Sequence, residues 1–169
     1  MATVSECWEA GTANVFTSGI PEKIMIAGTG TIPWPVEGYA FDAAADEYIY
    51  YKFPIRNYGS GNLTCNIYWY SRSSSTSGAI VASAAIGCLT AGDAQSVESK
   101  TLATATTATS TATGTAKGPQ VATVTISNLD SITNGDWVVL RVGRVGSNGS
   151  DTMSGDAIFA LVELQYSDV

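Results

Sequence analysis

Alternation of apolar and polar residues along short segments is the feature that most constrains this chain. In residues 62–70, NLTCNIYWY, the side chains of Leu63, Cys65, Ile67 and Trp69 fall on one side of an extended backbone, and the residues between them fall on the other. Similar segments recur along the chain, bounded by Gly, Asn, Asp, Ser and Pro, with almost no helical periodicity. The sequence therefore predicts an all-β protein.

Eight of these segments are predicted to be strands. Eight antiparallel strands joined at short spacing are typical of a β-sandwich, and among sandwiches the jelly roll has this strand count. The segment at 137–145 is apolar on both faces, which predicts a central strand. The predicted strands are residues 36–41, 47–53, 62–70, 79–89, 97–107, 120–126, 137–145 and 157–166.

Composition indicates one domain with its own core. The chain has 169 residues, 45% of them hydrophobic, and a chain of this length buries roughly 70% of its unfolded surface. Cys7, Cys65 and Cys88 are widely spaced, and the amino terminus lacks a signal-peptide pattern. No apolar run reaches the ~18 residues of a membrane helix. We therefore expect an unsecreted protein of a reducing cytoplasm, with no membrane partner.

The net charge and the lack of histidine exclude several classes of function. The net charge of -7 opposes nucleic-acid binding, because an acidic surface repels phosphates. A chain without histidine cannot build Ser-His-Asp or Cys-His nucleophile systems. A carboxylate glycosidase needs two acids flanking a cleft, and Asp42, Asp46 and Glu47 are candidates by proximity in sequence. The expectation is no enzyme, no cofactor and no metal.

The first 33 residues differ from the rest of the chain. They contain several glycines and isolated apolar residues in place of a core-forming pattern. We predict an extended N-terminal arm and linker at 1–33, followed by a jelly-roll domain at 34–169. Trp8, Val15, Phe16 and Ile24 are the candidate anchors of this arm on a partner protein. The alternative is that residues 22–27 form an extra strand of the same domain and that the remainder of the segment is a loose end.

Two surfaces are candidates for contact with a ligand or another subunit. Tyr48, Tyr50, Tyr68 and Tyr70 alternate on two strands predicted to be adjacent, where they could stack on glycan rings or meet a second subunit. The Thr/Ala-rich segment 101–115 is predicted to be a long strand or sheet edge, with a flexible loop as the alternative. An edge of this kind needs a cover from a neighbouring subunit or loop.

The polar stretch at 146–156 lies between two apolar strands. Asp151 and Asp156 could ligate a metal, but the residues between them lack the alternating oxygen ligands of a calcium loop. A structural connection is therefore predicted, in which glycines supply bends and Asp and Ser bond to the backbone. Arg141, on the preceding strand, is predicted to form a structural ion pair with a carboxylate of a neighbouring strand.

The carboxy-terminal segment SNLDSITNGDWVVLRVGRVGSNGSDTMSGDAIFALVELQY resembles the end of a group of structural proteins of tailed bacteriophages and prophages. An NLDS…GD turn, a VxLRVxR strand and an SDTMSGDA link carry the resemblance. It extends back through WPVEGYAFDAAADEYIYYKFPI and YGSGNLTCNIYWYS, and so covers roughly residues 34–166. The resemblance implies a jelly-roll module of the virion.

The function implied by this resemblance is a capsid decoration or cement protein that binds and stabilises the major capsid protein lattice. Such a protein is made in the host cytoplasm and resides on the capsid surface. A homo-oligomer is expected, with a trimer favoured, because an icosahedral shell offers three-fold positions for closed symmetric assemblies. The alternative is a tail-fibre or tail-associated module that binds a receptor or glycan.

Overall fold

A computed structural model describes residues 2–31, 33–73 and 77–169. Met1 and Ile32, within the predicted arm and linker, lie outside the described residues. The described residues form ten strands and one short 3-10 turn, Ala10–Thr12. The strands are β1 Thr3–Glu9, β2 Glu22–Ala27, β3 Pro35–Phe41, β4 Asp46–Pro54, β5 Leu63–Ser71, β6 Ala79–Leu89, β7 Thr106–Thr111, β8 Gln120–Ile126, β9 Trp137–Val145 and β10 Ala157–Ser167. Within this part of the chain, no helix is long and apolar enough to cross a membrane.

The strands form two antiparallel sheets. The six-stranded sheet has the order β2-β3-β10-β5-β8, with β1 on the other half of β10, and the four-stranded sheet has the order β4-β9-β6-β7. Strands β3 to β10 pair in nested fashion: β3 with β10, β4 with β9, β5 with β8, and β6 with β7. These pairings confirm the predicted eight-stranded jelly-roll sandwich, to which β1 and β2 add two strands.

The core lies between the two sheets. The four residues predicted to face inward on β5, namely Leu63, Cys65, Ile67 and Trp69, are all buried. They meet inward side chains of the four-stranded sheet such as Leu140, as expected where alternating strands pack face to face. The Trp69 indole Nε1 donates to Ser110 Oγ at 3.0 Å, so the buried ring keeps its hydrogen bond.

The N-terminal segment is part of the sandwich, and the prediction of a separate extended arm is wrong. All seven residues of β1 pair with β10, and β2 pairs with β3. Between these two strands, Asn14 exchanges two 2.9 Å backbone hydrogen bonds with Tyr50 at the edge of β4. The extra strand of the alternative prediction, at 22–27, is confirmed, but the remainder of the segment is not a loose end, because residues 3–9 form β1. The apolar pattern is sparse here because these strands lie at sheet edges, where few side chains reach the core.

The Thr/Ala-rich segment forms a shorter strand than predicted. β7 begins at Thr106, and residues 97–105 run outside the ladder as a loop packed on the outer face of the four-stranded sheet. Ser110 Oγ donates to the Val121 carbonyl at 3.1 Å, which ties β7 to β8 across the side of the sandwich. The cover on this edge therefore comes in part from the same chain.

The structural ion pair predicted for Arg141 belongs instead to Arg144. The side chains of Arg144 and Asp151 are paired and fully buried. The Arg141 guanidinium lies 4.3 Å from the centroid of the Tyr48 ring on the outer face, and its buried Nε has no hydrogen-bond partner among the described residues. The two arginines are three residues apart on β9, so they point to opposite faces of the sheet.

Candidate ligand-binding trough

The four tyrosines do not form the predicted platform. Tyr48 and Tyr50 lie on β4 in the four-stranded sheet, whereas Tyr68 and Tyr70 lie on β5 in the six-stranded sheet. In a jelly roll the chain crosses from one sheet to the other between these strands, so their outer faces point in opposite directions. Three of the rings are already engaged: Tyr48 by Arg141, Tyr68 by Glu163 and Tyr70 by the small cluster around Ile158.

The four predicted arm anchors divide into two pairs. Trp8 stacks on Tyr51 with ring centroids 5.2 Å apart, and Ile24 is buried in the cluster around Ile158. Both are therefore structural. Val15 and Phe16 are exposed, and the Phe16 ring meets Tyr50 edge-on at 4.5 Å. The N-terminal segment thus brings an exposed aromatic ring to the outer face of the four-stranded sheet.

A groove of about 450 Å³ lies on this outer face, and together with the hollows that adjoin it we call it the trough. Its floor includes Gly87 and Val139, which are neighbours on β6 and β9. Phe16, Tyr50 and Lys52 form one wall. The opposite wall is the loop that precedes β7, including Val97, Glu98, Lys100, Thr101 and Leu102.

Gly87 allows the second wall to approach the sheet. A Cβ at this position would lie 3.0 Å from Leu102 Cδ2, closer than ordinary packing permits. The Ala103 N–H donates to the Ile86 carbonyl at 2.8 Å, which holds the loop against β6. A side chain at residue 87 would push Leu102 away and change the width of the groove.

Trp137 is the ring that joins the hollows of this surface. It lines the main groove and two adjoining hollows of about 270 and 390 Å³. It is 43% exposed and lies at the first position of β9, between the last residues of β4 and β6 at one end of the sheet. The trough therefore continues on both sides of an accessible indole, a shape that suits an elongated ligand.

Polar groups with fixed positions accompany the rings. Lys100 Nζ lies 2.8 Å from Asp130 Oδ2 and donates to Gln95 Oε1 at 3.0 Å. Asp130 Oδ2 also accepts the Cys88 N–H at 2.7 Å, so the Lys100 side chain is anchored to β6. Lys52 is exposed and forms no ion pair with any described residue. The groove thus offers ammonium donors and the Glu98 carboxylate beside its aromatic walls.

A larger cleft on the other side of the same loop has a different character. It encloses about 630 Å³ and is lined mainly by Ser, Thr, Ala, Gln and Asn, with Lys100 and Asp130. None of its lining residues in the described part of the chain is aromatic. The cleft has no large apolar surface that could exclude water from a ligand, so we regard the trough as the candidate site.

The carboxylates that were candidates for a glycosidase accept hydrogen bonds from residues in turns. Glu47 Oε2 accepts the Asp42 N–H at 2.7 Å, and Asp46 accepts the backbone N–H and the hydroxyl of Ser147. The pKa of Glu47 is raised, and the largest cause of this shift is burial of the carboxyl group. No group of three or more His, Cys, Asp or Glu within the described ranges is placed to hold a metal, and Asp151 is used in the Arg144 pair.

A second polar cluster lies on the outer face of the six-stranded sheet. The Glu163 carboxylate accepts hydrogen bonds from four side chains, Ser5, Asn66, Tyr68 and Gln165. These donors, led by the Ser5 hydroxyl and the Asn66 amide, lower the pKa of Glu163 from 4.5 to about 2. Because the carboxylate is already satisfied within the chain, the cluster ties β1, β5 and β10 together.

Sequence reasoning missed the role of Trp137. The apolar outer face of β9 was interpreted as burial in a central strand, whereas Trp137 is exposed and Val139 lines the groove. The signal was present, since residues 137 and 139 alternate with the inward Val138 and Leu140. The sequence could not assign Lys52, Lys100 and Glu98 to one site, because the path of the loop that precedes β7 decides whether these side chains come close to one another.

Comparison with known proteins gives no family. No family model and no curated protein matches the sequence. Among solved structures, the chain is similar to a family 35 carbohydrate-binding module from Clostridium thermocellum, with 12% identity over 95% of this chain and 97% of that chain and a TM-score of 0.48. A carbohydrate-binding module of Cellvibrio mixtus lichenase 5A, solved with cellotriose, has 12% identity over 96% and 97% of the two chains and a TM-score of 0.44. At these values the likeness says nothing about what this chain binds.

Proposed function

We propose that this chain is a non-catalytic glycan-binding module that holds a sugar chain in the trough. The observation that carries the proposal is Trp137, an exposed indole at the end of the sheet face with hollows on both of its sides. The C–H-bearing face of a sugar ring packs on the electron-rich face of an aromatic ring, and its hydroxyls need directed polar partners. Tyr50, Phe16, Lys52 and Glu98 supply these two kinds of contact along the groove.

The acid groups of the trough support binding without hydrolysis. Glycosidases use a pair of carboxyl groups about 5–9.5 Å apart, one on each side of the scissile bond. Two carboxylates line the trough among the described residues, Glu98 in the main groove and Asp93 in an adjoining hollow. Asp93 Oδ2 accepts the Thr90 N–H of its own turn at 3.0 Å, which leaves Glu98 as the acid of the main groove. One acid can accept hydrogen bonds from sugar hydroxyls, but it cannot supply both the acid and the base or nucleophile.

Glycan arrays followed by calorimetry test this function. The wild-type protein should bind a subset of oligosaccharides, and Trp137→Ala should weaken the best ligand at least tenfold, because a stacked ring contributes about 1 kcal/mol or more beyond its buried area. Trp34→Ala is the matched control, since Trp34 is an exposed tryptophan outside the trough. Melting curves should show that both variants fold. No binding to any glycan, or equal loss in the two variants, would contradict the proposal.

A virion structural role is the second candidate function. It rests on the resemblance of residues 34–166 to phage structural proteins and on an exposed apolar surface remote from the trough. Trp34 is 81% exposed and Met25 is 77% exposed, and both are large side chains without cover in this chain. Capsid decoration that stabilises the major capsid protein lattice is the form of this role we propose.

Electron microscopy separates the two candidates. Particles assembled without this chain should lack a regular feature of the capsid surface if it decorates the head, and should lack an appendage if it belongs to the tail. Unchanged particles would reject a virion role and leave glycan binding as a separate activity. Both functions can hold together, because the apolar surface and the trough lie on different sheets.

A further inference from the structure

The outer edge of β2 is an open strand edge. Among the described strands β2 pairs only with β3, in a six-residue antiparallel ladder from Glu22 opposite Ala40 to Ala27 opposite Pro35. The backbone N–H and C=O groups on its other side have no strand partner in this part of the chain. Such groups are satisfied by water or by another strand, so the geometry of the edge defines the kind of partner that fits.

The chain covers another edge but leaves this one free. The outer edge of β4 receives backbone hydrogen bonds from the N-terminal segment, because Asn14 bonds to Tyr50 and the Tyr48 N–H donates to the Gly19 carbonyl at 3.0 Å. The same segment then continues into β2 without placing any cover on the far side of that strand.

The side chains of β2 do not protect its edge. Natural edge strands are blunted by charges, prolines or bulges, but Ile24, Met25, Ile26 and Ala27 form an uninterrupted apolar run. The two charged residues of the strand are engaged with their own chain. Lys23 Nζ lies 2.6 Å from Glu37 Oε1, and Glu22 is bonded to Arg72.

We propose that two copies of this chain pair through β2, antiparallel about a two-fold axis, with Met25 opposite Met25 of the second copy. In this register Ile24 faces Ile26 of the other copy twice on one side of the new sheet, and the two methionines meet on the opposite side. Lys23 faces Ala27 and Glu22 faces Gly28, so no like charges are opposed. The two six-stranded sheets become one continuous sheet.

The neighbouring register is less favourable. If Ile24 were opposite itself, Lys23 would face Met25 and Glu22 would face Ile26, so Met25 and Ile26 would each lie against a charged side chain. Cross-strand apolar pairs stabilise a sheet, whereas charged groups opposite apolar ones lose hydration without gaining a partner. Between these two registers, the charge pattern of the strand therefore favours the one centred on Met25.

Trp34 fits the same arrangement. The Gly28 N–H donates to the Trp34 carbonyl at 3.1 Å, so the two residues are neighbours at the loop end of the β2–β3 hairpin. Gly28 has no side chain, and Glu22 of the second copy would lie directly beyond it. The exposed indole can therefore extend across Gly28 and cover the aliphatic part of that glutamate. If the proposed glycan binding holds, the dimer presents two troughs; the pairing itself does not depend on it.

Light scattering and analytical ultracentrifugation test the interface. The wild-type protein should be a concentration-dependent dimer, and Met25→Lys should shift it to monomer, because the two lysines would be opposed. Val121→Lys is the matched control, since Val121 is exposed on β8 at the opposite edge of the same sheet, and this variant should remain dimeric. A monomeric wild type, a trimer, or dissociation by Val121→Lys alone would overturn the proposal.

Disulfide trapping tests the register. In a Cys7→Ser background, which removes the exposed native thiol, Met25→Cys should oxidise to a covalent dimer, because directly opposed residues have Cβ atoms within disulfide reach. Lys23→Cys should not, since it lies opposite Ala27, and Lys23 of the second copy lies four positions further along that strand. Efficient trapping through Lys23→Cys, or none through Met25→Cys, would exclude the Met25-centred pairing.

Discussion

Arg144 and Asp151 form a bidentate ion pair with no solvent exposure on either side chain. Arg144 Nε donates to Asp151 Oδ2 at 2.9 Å, Nη2 donates to Oδ1 at 2.7 Å, and Asp151 Oδ2 also accepts the Val81 N–H at 3.0 Å. The other guanidinium N–H groups donate to the carbonyls of Phe41, Met153 and Gly155. The polar link between β9 and β10 is therefore a structural connection held by an arginine.

Breaking this pair should destabilise the fold strongly. Asp151→Ala leaves a buried arginine charge without its partner, a change that costs about 3–5 kcal/mol of unfolding free energy. Urea denaturation measures the effect. Lys23→Ala, which removes an exposed ion pair with Glu37, should cost less than about 1 kcal/mol in the monomer. Similar losses in the two variants would show that the buried pair has no special role.

The N-terminal segment should be required for stability. Trp8 packs on Tyr51 and Phe53 at the end of the core, so we expect Trp8→Ala to cost about 2–3 kcal/mol, less than a fully buried tryptophan. Removal of residues 1–31 should abolish cooperative thermal unfolding, since β10 would lose its pairing with β1 and β3 would lose its pairing with β2. Val15→Ala, at an exposed position, should stay within about 0.5 kcal/mol of wild type. A truncated protein that melts cooperatively at the wild-type temperature would contradict this prediction.

The local pattern of apolar and polar residues predicted those strands in which this pattern decides which side chains are buried. β6, β8 and β9 have the predicted limits, because each alternates or is apolar over its whole length between turn residues. β1 was missed as part of the sheet, and β2 was predicted only as the alternative, since only a few of their side chains reach the interior. The loop at 97–105 was predicted as strand from its composition, but tertiary packing on Gly87 decides its path.

The candidate site was harder to predict than the fold. A platform of four tyrosines assumed that strands adjacent in sequence are adjacent in space, but a jelly roll places β4 and β5 in different sheets. Of the predicted residues, Tyr50 and Phe16 do come together, 4.5 Å apart. They are joined by Trp137 and by the loop that precedes β7, which are distant in sequence from both. Long-range pairing, which periodicity does not encode, assembles the trough.

Acid should weaken the cluster around Glu163. Its pKa is lowered to about 2 in the folded protein from an ordinary value of 4.5, so the carboxylate stabilises the fold above pH 4.5. This contribution is lost as the pH falls through about 2. The difference in unfolding free energy between wild type and Glu163→Gln should be constant near neutrality and shrink across that window. Glu9→Gln, an exposed change on β1, is the control, and a pH-independent difference would reject the prediction.

The three thiols should differ in reactivity. Cys7 is exposed, whereas Cys65 and Cys88 are buried. Burial raises the pKa of Cys65 and of Cys88 to about 12, with the Asp130 carboxylate adding to the effect at Cys88. Because the thiolate is the reactive form, iodoacetamide at neutral pH should label one cysteine in the folded protein and all three in denaturant. Mass spectrometry counts the adducts, and rapid native labelling of Cys65 would contradict the buried assignment.

The most direct measurement of glycan binding in the trough is an NMR titration of the indole N–H signals. The chain has four tryptophans, and they report on four places: Trp8 at the end of the core, Trp69 within it, Trp34 near the open edge of β2, and Trp137 in the trough. Addition of an oligosaccharide selected on an array should shift the Trp137 signal and leave the Trp69 and Trp34 signals unchanged. Saturable binding that shifts Trp34 and spares Trp137 would contradict the proposed site.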